Sequence, residues 1–214
     1  MSSDHRHPPL LHADRSVRAT RVLAIRQLLI DKGVVTAAEV DDVVARSRAR
    51  TPADGAKVVA RAWTDDAFRG RLLADARAAA REQGYRLSHD ADLVVVENTA
   101  EVHHLIVCTL CSCYPTSLLG QPPDWYKSFA YRQRAVIEPR AVLREFGLEL
   151  PAAMHLRVVD STADVRYLVL PRRPPGTEGM SQDDLAGLVT RDSMIGVAEA
   201  HRPEGGRCAC RGTS

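Results

Sequence analysis

Val107-Cys108-Thr109-Leu110-Cys111-Ser112-Cys113-Tyr114-Pro115 is the stretch whose chemistry packing and solvation do not explain. Three of the chain's five cysteines fall here, at n, n+3 and n+5. If Cys111 and Cys113 bind one ion through sulfur, the intervening backbone can add the deprotonated amide nitrogens of Ser112 and Cys113. Small chelate rings then close in sequence around one plane, and Cys108 can supply an axial thiolate. The sixth position stays open for water or substrate, as catalytic metal sites require. Displacing amide protons takes a strong Lewis acid, and thiolate softness with octahedral geometry suits trivalent cobalt or iron better than zinc.

Other readings stay open on spacing alone. A Cys-x-x-Cys pair is often half of a zinc site, but no second pair stands at zinc-finger spacing. A thioredoxin-like redox pair is less apt with a third cysteine two residues on. His103 and His104 precede the loop in a predicted strand, where neighbouring side chains face opposite ways.

Composition sets the surroundings. The 214 residues are 45% hydrophobic and 26% charged, enough for a core and a soluble surface, and the net charge of +2 implies no nucleic-acid partner. No apolar run approaches the roughly 20 residues of a membrane span. Residues 1–15 carry His5, His7 and His12 with Pro8-Pro9 and no signal-peptide core, and read as a flexible end. Metal-competent thiols fit a reducing cytoplasm.

The pattern predicts an α+β chain. Helices are expected at 16–32, closed by Gly33, at 37–48 behind the capping box Thr36-Ala-Ala-Glu39, at 53–62 behind Pro52, and from Thr64 or Asp65 to Gly84. Their modest apolar faces suggest an arm over 16–84 that buries its surface on another chain. Short β-branched runs at 93–96, 105–107, 156–159 and 165–170 read as strands. Short helices are expected at 128–137 and 139–146, and one more from the Ser181 cap to Leu188. Residues 85–200 thus form a compact metal-binding domain of short strands and helices, and 201–214 a flexible tail. Cys208-Ala-Cys210 in that tail is a possible cobalt relay, though an incidental pair is the better reading.

The hexapeptide from Cys108 to Cys113, followed by Tyr114-Pro115, resembles the metal-binding motif of the nitrile hydratase α subunit. The similarity continues through Trp125-Tyr126-Lys127, Tyr131-Arg132, Glu138-Pro139-Arg140, Val169-Leu170-Pro171, Gly176-Thr177-Glu178-Gly179 and Thr190-Arg191-Asp192, over roughly residues 16–198. In that family a Thr and a Tyr at the places of Thr109 and Tyr114 mark cobalt enzymes, so one Co3+ per chain is implied and iron is the lesser choice. The resemblance implies a catalytic subunit that hydrates a nitrile to its amide and is completed by one or two β-type chains, with an activator protein for cobalt insertion. It implies Cys108, Cys111, Ser112 and Cys113 as ligands, Cys111 as a sulfinic acid and Cys113 as a sulfenic acid, two rungs of one oxidation ladder. The sulfenate of Cys113, or an activated water, then attacks the nitrile carbon.

One departure stands out: Thr116 occupies a place where nitrile hydratases usually carry Trp. A wider pocket follows, and with it a possible bulky substrate such as the nucleoside nitrile toyocamycin. Thiocyanate hydrolase, whose γ subunit shares the loop, is the alternative in the same chemistry, and a non-catalytic thiol-metal binding or delivery protein the alternative outside it. Arg166 and Asp164, where the family tends to have Glu, are candidates for supporting the loop. Their competing reading is an ordinary strand-edge ion pair. The hydroxyls of Thr109 and Ser112 could hold the loop, and Trp125, Tyr126 and Tyr131 read best as core packing.

Overall fold

The computed structural model describes residues 12–87 and 91–203. It divides into two compact units after Ser47. In the first, α1 (His12–Asp31) runs to Gly33, whose φ of +67° is a left-handed stop. The second helix, α2 (Ala37–Ala49), opens on the expected capping box. Thr36 N and Oγ1 donate to the Glu39 carboxylate at 2.7 and 2.9 Å, and Glu39 N donates to Thr36 Oγ1 at 3.2 Å. Arg26 and Asp41 bridge the two helices at 2.8 Å. Val22, Leu23, Ile25 and Leu28 on α1 are exposed, and α2 buries none of its residues.

The second unit opens with α3 (Pro52–Thr64), α4 (Asp66–Ala74) and α5 (Ala76–Glu82). Here the structure differs from the expectation of one helical arm over 16–84. Val58, Val59, Phe68, Leu72 and Ala79 are fully buried in the same core as Leu105, Leu118 and Leu168. An apolar helix face announces that it wants cover, not which segment supplies it. The expected single helix up to Gly84 is also two. Asp75 interrupts it and caps α5, accepting from Ala78 N at 2.9 Å.

The strands β1 (Asp92–Glu97), β2 (Val102–Val107), β3 (His155–Asp160) and β4 (Val165–Leu170) form two parallel pairs, β1 with β4 and β2 with β3. A parallel pair needs a long crossover. Between β2 and β3 that crossover is the cysteine loop followed by α6 (Thr116–Leu119), α7 (Asp124–Lys127), α8 (Phe129–Ile137) and α9 (Pro139–Glu145). After β4 come α10 (Gln182–Leu188), capped by Ser181 as expected, and α11 (Arg191–Ile195). The register sets Val107 beside Asp160, and Ser161 N extends the ladder to Val107 O at 2.7 Å. This is an α+β fold of the expected class. Among the described residues no helix is long and apolar enough to cross a membrane.

At the end of α11, Gly196 has φ +90° and lies against the backbone of β2, so closely that a Cβ there would collide with the His104 carbonyl oxygen. The Gly196 carbonyl oxygen is 2.7 Å from His103 Nε2. Gly196→Ala is therefore expected to destabilise the chain by about 3 kcal/mol or more, combining left-handed strain with a backbone clash. Urea unfolding checks this; a loss below about 1 kcal/mol would contradict it.

Candidate metal centre

The last residue of β2 is fully buried, and so is Cys108 directly after it. From there the chain rises to the surface, with Cys111 exposed and Cys113 half-buried. The Sγ atoms of Cys108 and Cys111 are 3.5 Å apart and those of Cys111 and Cys113 3.1 Å, and all three lie within 4.8 Å of one another. That is a separation one ion with metal–sulfur bonds of about 2.3 Å spans. Among the described residues these three form the one group of His, Cys, Asp or Glu side chains so arranged. The donor set and its spacing fit a thiophilic ion.

Three side chains hold the loop by its main chain, and a fourth holds the strand that launches it. Asp160, at the end of β3, accepts from Thr109 N at 2.9 Å and from Thr109 Oγ1 at 2.5 Å. Arg132 on α8 donates to the carbonyls of Cys108, Thr109 and Leu110 at 3.1, 2.8 and 2.9 Å. Tyr126 Oη donates to Cys113 O at 2.8 Å, and Tyr131 Oη to Ile106 O at 2.6 Å. The two tyrosines pack in the core as expected, yet their hydroxyls also serve the loop. Asp160 and Arg132 were not among the expected site residues, because their roles depend on strand register and helix placement.

A cavity of about 310 Å³ opens beside the loop. Its lining includes Cys111, Ser112 and Cys113 on one side and Leu93, Thr116 and Arg166 around them. Arg166 thus reaches the site, where its positive charge works to lower the Cys113 pKa; its own guanidinium also donates to the Thr162 carbonyl. Asp164 is exposed and lies outside the lining, so the two supporting candidates separate. Thr109 is held by Asp160 and does not line the cavity. His103 and His104 are buried and both approach Asn98. Burial lowers the pKa of each. Cys208 and Cys210 lie outside the described residues, as do residues 1–11; of the expected flexible start, 12–15 begin α1.

The sulfurs are electrostatically unlike. The hydrogen bond with Cys113 is the main reason the Cys111 thiol falls to about 7. Burial, reinforced by the Cys111 contact, pushes Cys113 up to about 12. In the metal-free chain Cys111 is therefore the more readily ionised of the two. Iodoacetamide should label Cys111 ahead of Cys113 and Cys108, at a rate rising through about pH 7. Peptide mass spectrometry over a pH series reads this, and first labelling at Cys108 would contradict it.

The nitrile hydratase alpha chain family matches residues 16–198. The nitrile hydratase subunit alpha of a Rhodococcus sp is 52% identical over 187 residues, 86% of this chain and 94% of that protein. A low-molecular weight cobalt-containing nitrile hydratase subunit alpha from Rhodococcus rhodochrous is 49% identical, covering 86% and 90%. The thiocyanate hydrolase subunit gamma of Thiobacillus thioparus is 41% identical, covering 82% and 77%. Among solved structures, a double mutant of the Fe-type nitrile hydratase from Comamonas testosteroni Ni1 superposes with a TM-score of 0.82 at 44% identity, covering 88% of this chain and 92% of that one. On the family match over residues 16–198 and relatives near 50% identity, the chain belongs to the nitrile hydratase alpha-chain family.

Proposed function

We propose that this chain is the metal-bearing catalytic subunit of a cobalt nitrile hydratase, converting a nitrile to its amide together with a β-type partner of one or two chains. The observation that carries the reading is the cluster of Cys108, Cys111 and Cys113, with all three sulfurs within 4.8 Å. Those sulfurs, with the amide nitrogens of Ser112 and Cys113, would hold the ion. Cobalt-containing relatives near 50% identity support cobalt, while the Fe-type structure keeps iron as the competing metal. When bound, a trivalent ion there would supply Lewis acidity toward a nitrile nitrogen or a water.

The chain's own contribution is positioning. Cys111 and Cys113 turn toward the cavity, and Cys108 anchors the loop from below. The oxygen of a Cys113 sulfenate would stand as the nucleophile or as the acceptor of a water proton. Arg166 offers a fixed positive charge to oxygenated sulfur. Leu93 and Leu118 form an apolar wall for the body of the substrate. Thr116 on the rim leaves room that a Trp would fill, which supports a bulky substrate such as toyocamycin. The exposed apolar residues of α1 support a partner-covered arm; the family resemblance is what suggests cytoplasmic assembly and an activator protein for cobalt insertion. The second reading, a thiocyanate hydrolase γ-type subunit, is favoured by the relative at 41% identity.

Elemental analysis and loop-peptide mass spectrometry of the chain co-expressed with its neighbouring gene products test the proposal. Cobalt with added oxygen on Cys111 and Cys113, plus amide formation, supports it. Zinc with unoxidised sulfurs would point to a binding or delivery protein, and turnover of thiocyanate alone to the second reading. Cys113→Ala should abolish turnover and Cys108→Ala should lose the metal; full activity in either counts against the assignment. Thr116→Trp should lower kcat/KM for a nucleoside nitrile by at least about tenfold while sparing a small aliphatic nitrile, since a filled pocket rejects bulk more than it weakens small ligands. Equal effects on both substrates would remove Thr116 from substrate selection.

A further inference from the structure

We infer that Arg132 is the positioning residue that presets the cysteine loop for metal capture. It acts by holding three consecutive peptide carbonyls in one guanidinium fork. Its Nε donates to Cys108 O at 3.1 Å, and its Nη2 to Thr109 O at 2.8 Å and Leu110 O at 2.9 Å. Among the described residues no main-chain N–H reaches any of these three carbonyls, so the fork is their partner. Nor does Arg132 lie within ion-pair distance of any described carboxylate, whereas its neighbour on α8, Arg134, is paired with Glu138 and Glu145. A half-buried guanidinium satisfied by loop carbonyls alone is committed to that loop.

The consequence for the sulfurs is geometric. Successive peptide units from Cys108 to Leu110 turn their oxygens to one side, toward α8. The Cys111 N–H then faces back to the Cys108 sulfur at 3.3 Å, and the segment 111–113 is left to face the cavity. The Cys108 and Cys111 sulfurs are thereby brought to 3.5 Å by the main chain itself, before any ion draws them together. The fork also sets a positive charge beside the loop without lining the cavity, and a cation there compensates negative charge gathered on the sulfurs. A lysine would keep that charge as a point but not the planar fork, so the two contributions are separable.

This inference rests on the metal-loop reading above, and its test separates the two. The full chain is produced without added cobalt and, in parallel, co-expressed with its partner and loaded. Arg132→Lys, Arg132→Gln and, as a control two residues along the same helix, Arg134→Gln are compared with wild type. Amide exchange in the peptide 105–116 of the cobalt-free chain should accelerate at least about tenfold in both Arg132 variants and stay unchanged in Arg134→Gln. Cobalt per chain after loading should drop at least about threefold in the Arg132 variants. In the cobalt that remains, kcat should fall with KM nearly constant, because the loop is mispositioned and the cavity wall is not. Wild-type loop exchange and cobalt content in Arg132→Lys would overturn the role of the fork, and the same result in Arg132→Gln would overturn the inference entirely. Loss of fold in both would make Arg132 a general stabiliser and overturn it as well. Failure of wild type to take cobalt or hydrate nitriles would sink the functional reading instead, while the exchange comparison would still report on the fork.

Discussion

Four side chains grip the main chain between Ile106 and Cys113, and the surrounding architecture is arranged to deliver them. A loop that leaves the sheet after Val107 has no ladder of hydrogen bonds to order its backbone. Ordering one residue costs about 1–2 kcal/mol, while a single neutral hydrogen bond contributes about 1 kcal/mol net. No single contact could hold the segment; repeated anchoring along it can. Tyr131 takes the start at Ile106, Asp160 and Arg132 the middle, and Tyr126 the end at Cys113. The two charged anchors form stronger hydrogen bonds than the neutral ones, and they sit where the loop is most exposed.

The anchors are themselves held by an aromatic layer. Trp125 meets the Tyr131 ring edge to face at 4.9 Å and Phe146 at 4.8 Å, and Tyr126 meets Tyr114 at 5.1 Å. Such contacts fix ring planes, and a fixed ring aims its hydroxyl. Tyr114 shares the arrangement without a hydrogen-bonding partner for its Oη, and burial raises its pKa well above the usual phenol range. It serves the loop as packing: a rigid ring directly after Cys113. The tyrosines that the sequence reading assigned to the core are in the core, and their polar ends convert core rigidity into loop geometry.

What could be read in the sequence was local. The capping box at Thr36, the proline at Pro52, the left-handed glycine at Gly33 and the Ser181 cap each act within a few residues, and each stands where expected. The spacing of the three cysteines raised a metal loop as one reading among several, and the family resemblance favoured it. What stayed hidden depends on partners distant in sequence. Asp160 reaches Thr109 because β2 and β3 pair in parallel in one particular register, and a strand-end aspartate does not reveal that register. Arg132 was one arginine among many until α8 lay behind the loop. Asp164 and Arg166 stand two residues apart on the same edge, and only the cavity wall told them apart. The cover for α3–α5 came from within the chain rather than from outside it, which amphipathicity does not distinguish.

The pinning of β2 by Gly196 has a bearing on how the protein is made. Chains emerge from the ribosome N-terminus first. When residues 108–113 appear, Arg132, Asp160 and the backbone that closes over His104 have yet to be synthesised. A further 83 residues, from Cys113 to Gly196, are added before the contact that pins β2 can form. The three cysteines are thus made before any of the side chains that hold their loop, so an ion arriving early would meet three sulfurs with neither Arg132 nor Asp160 in place.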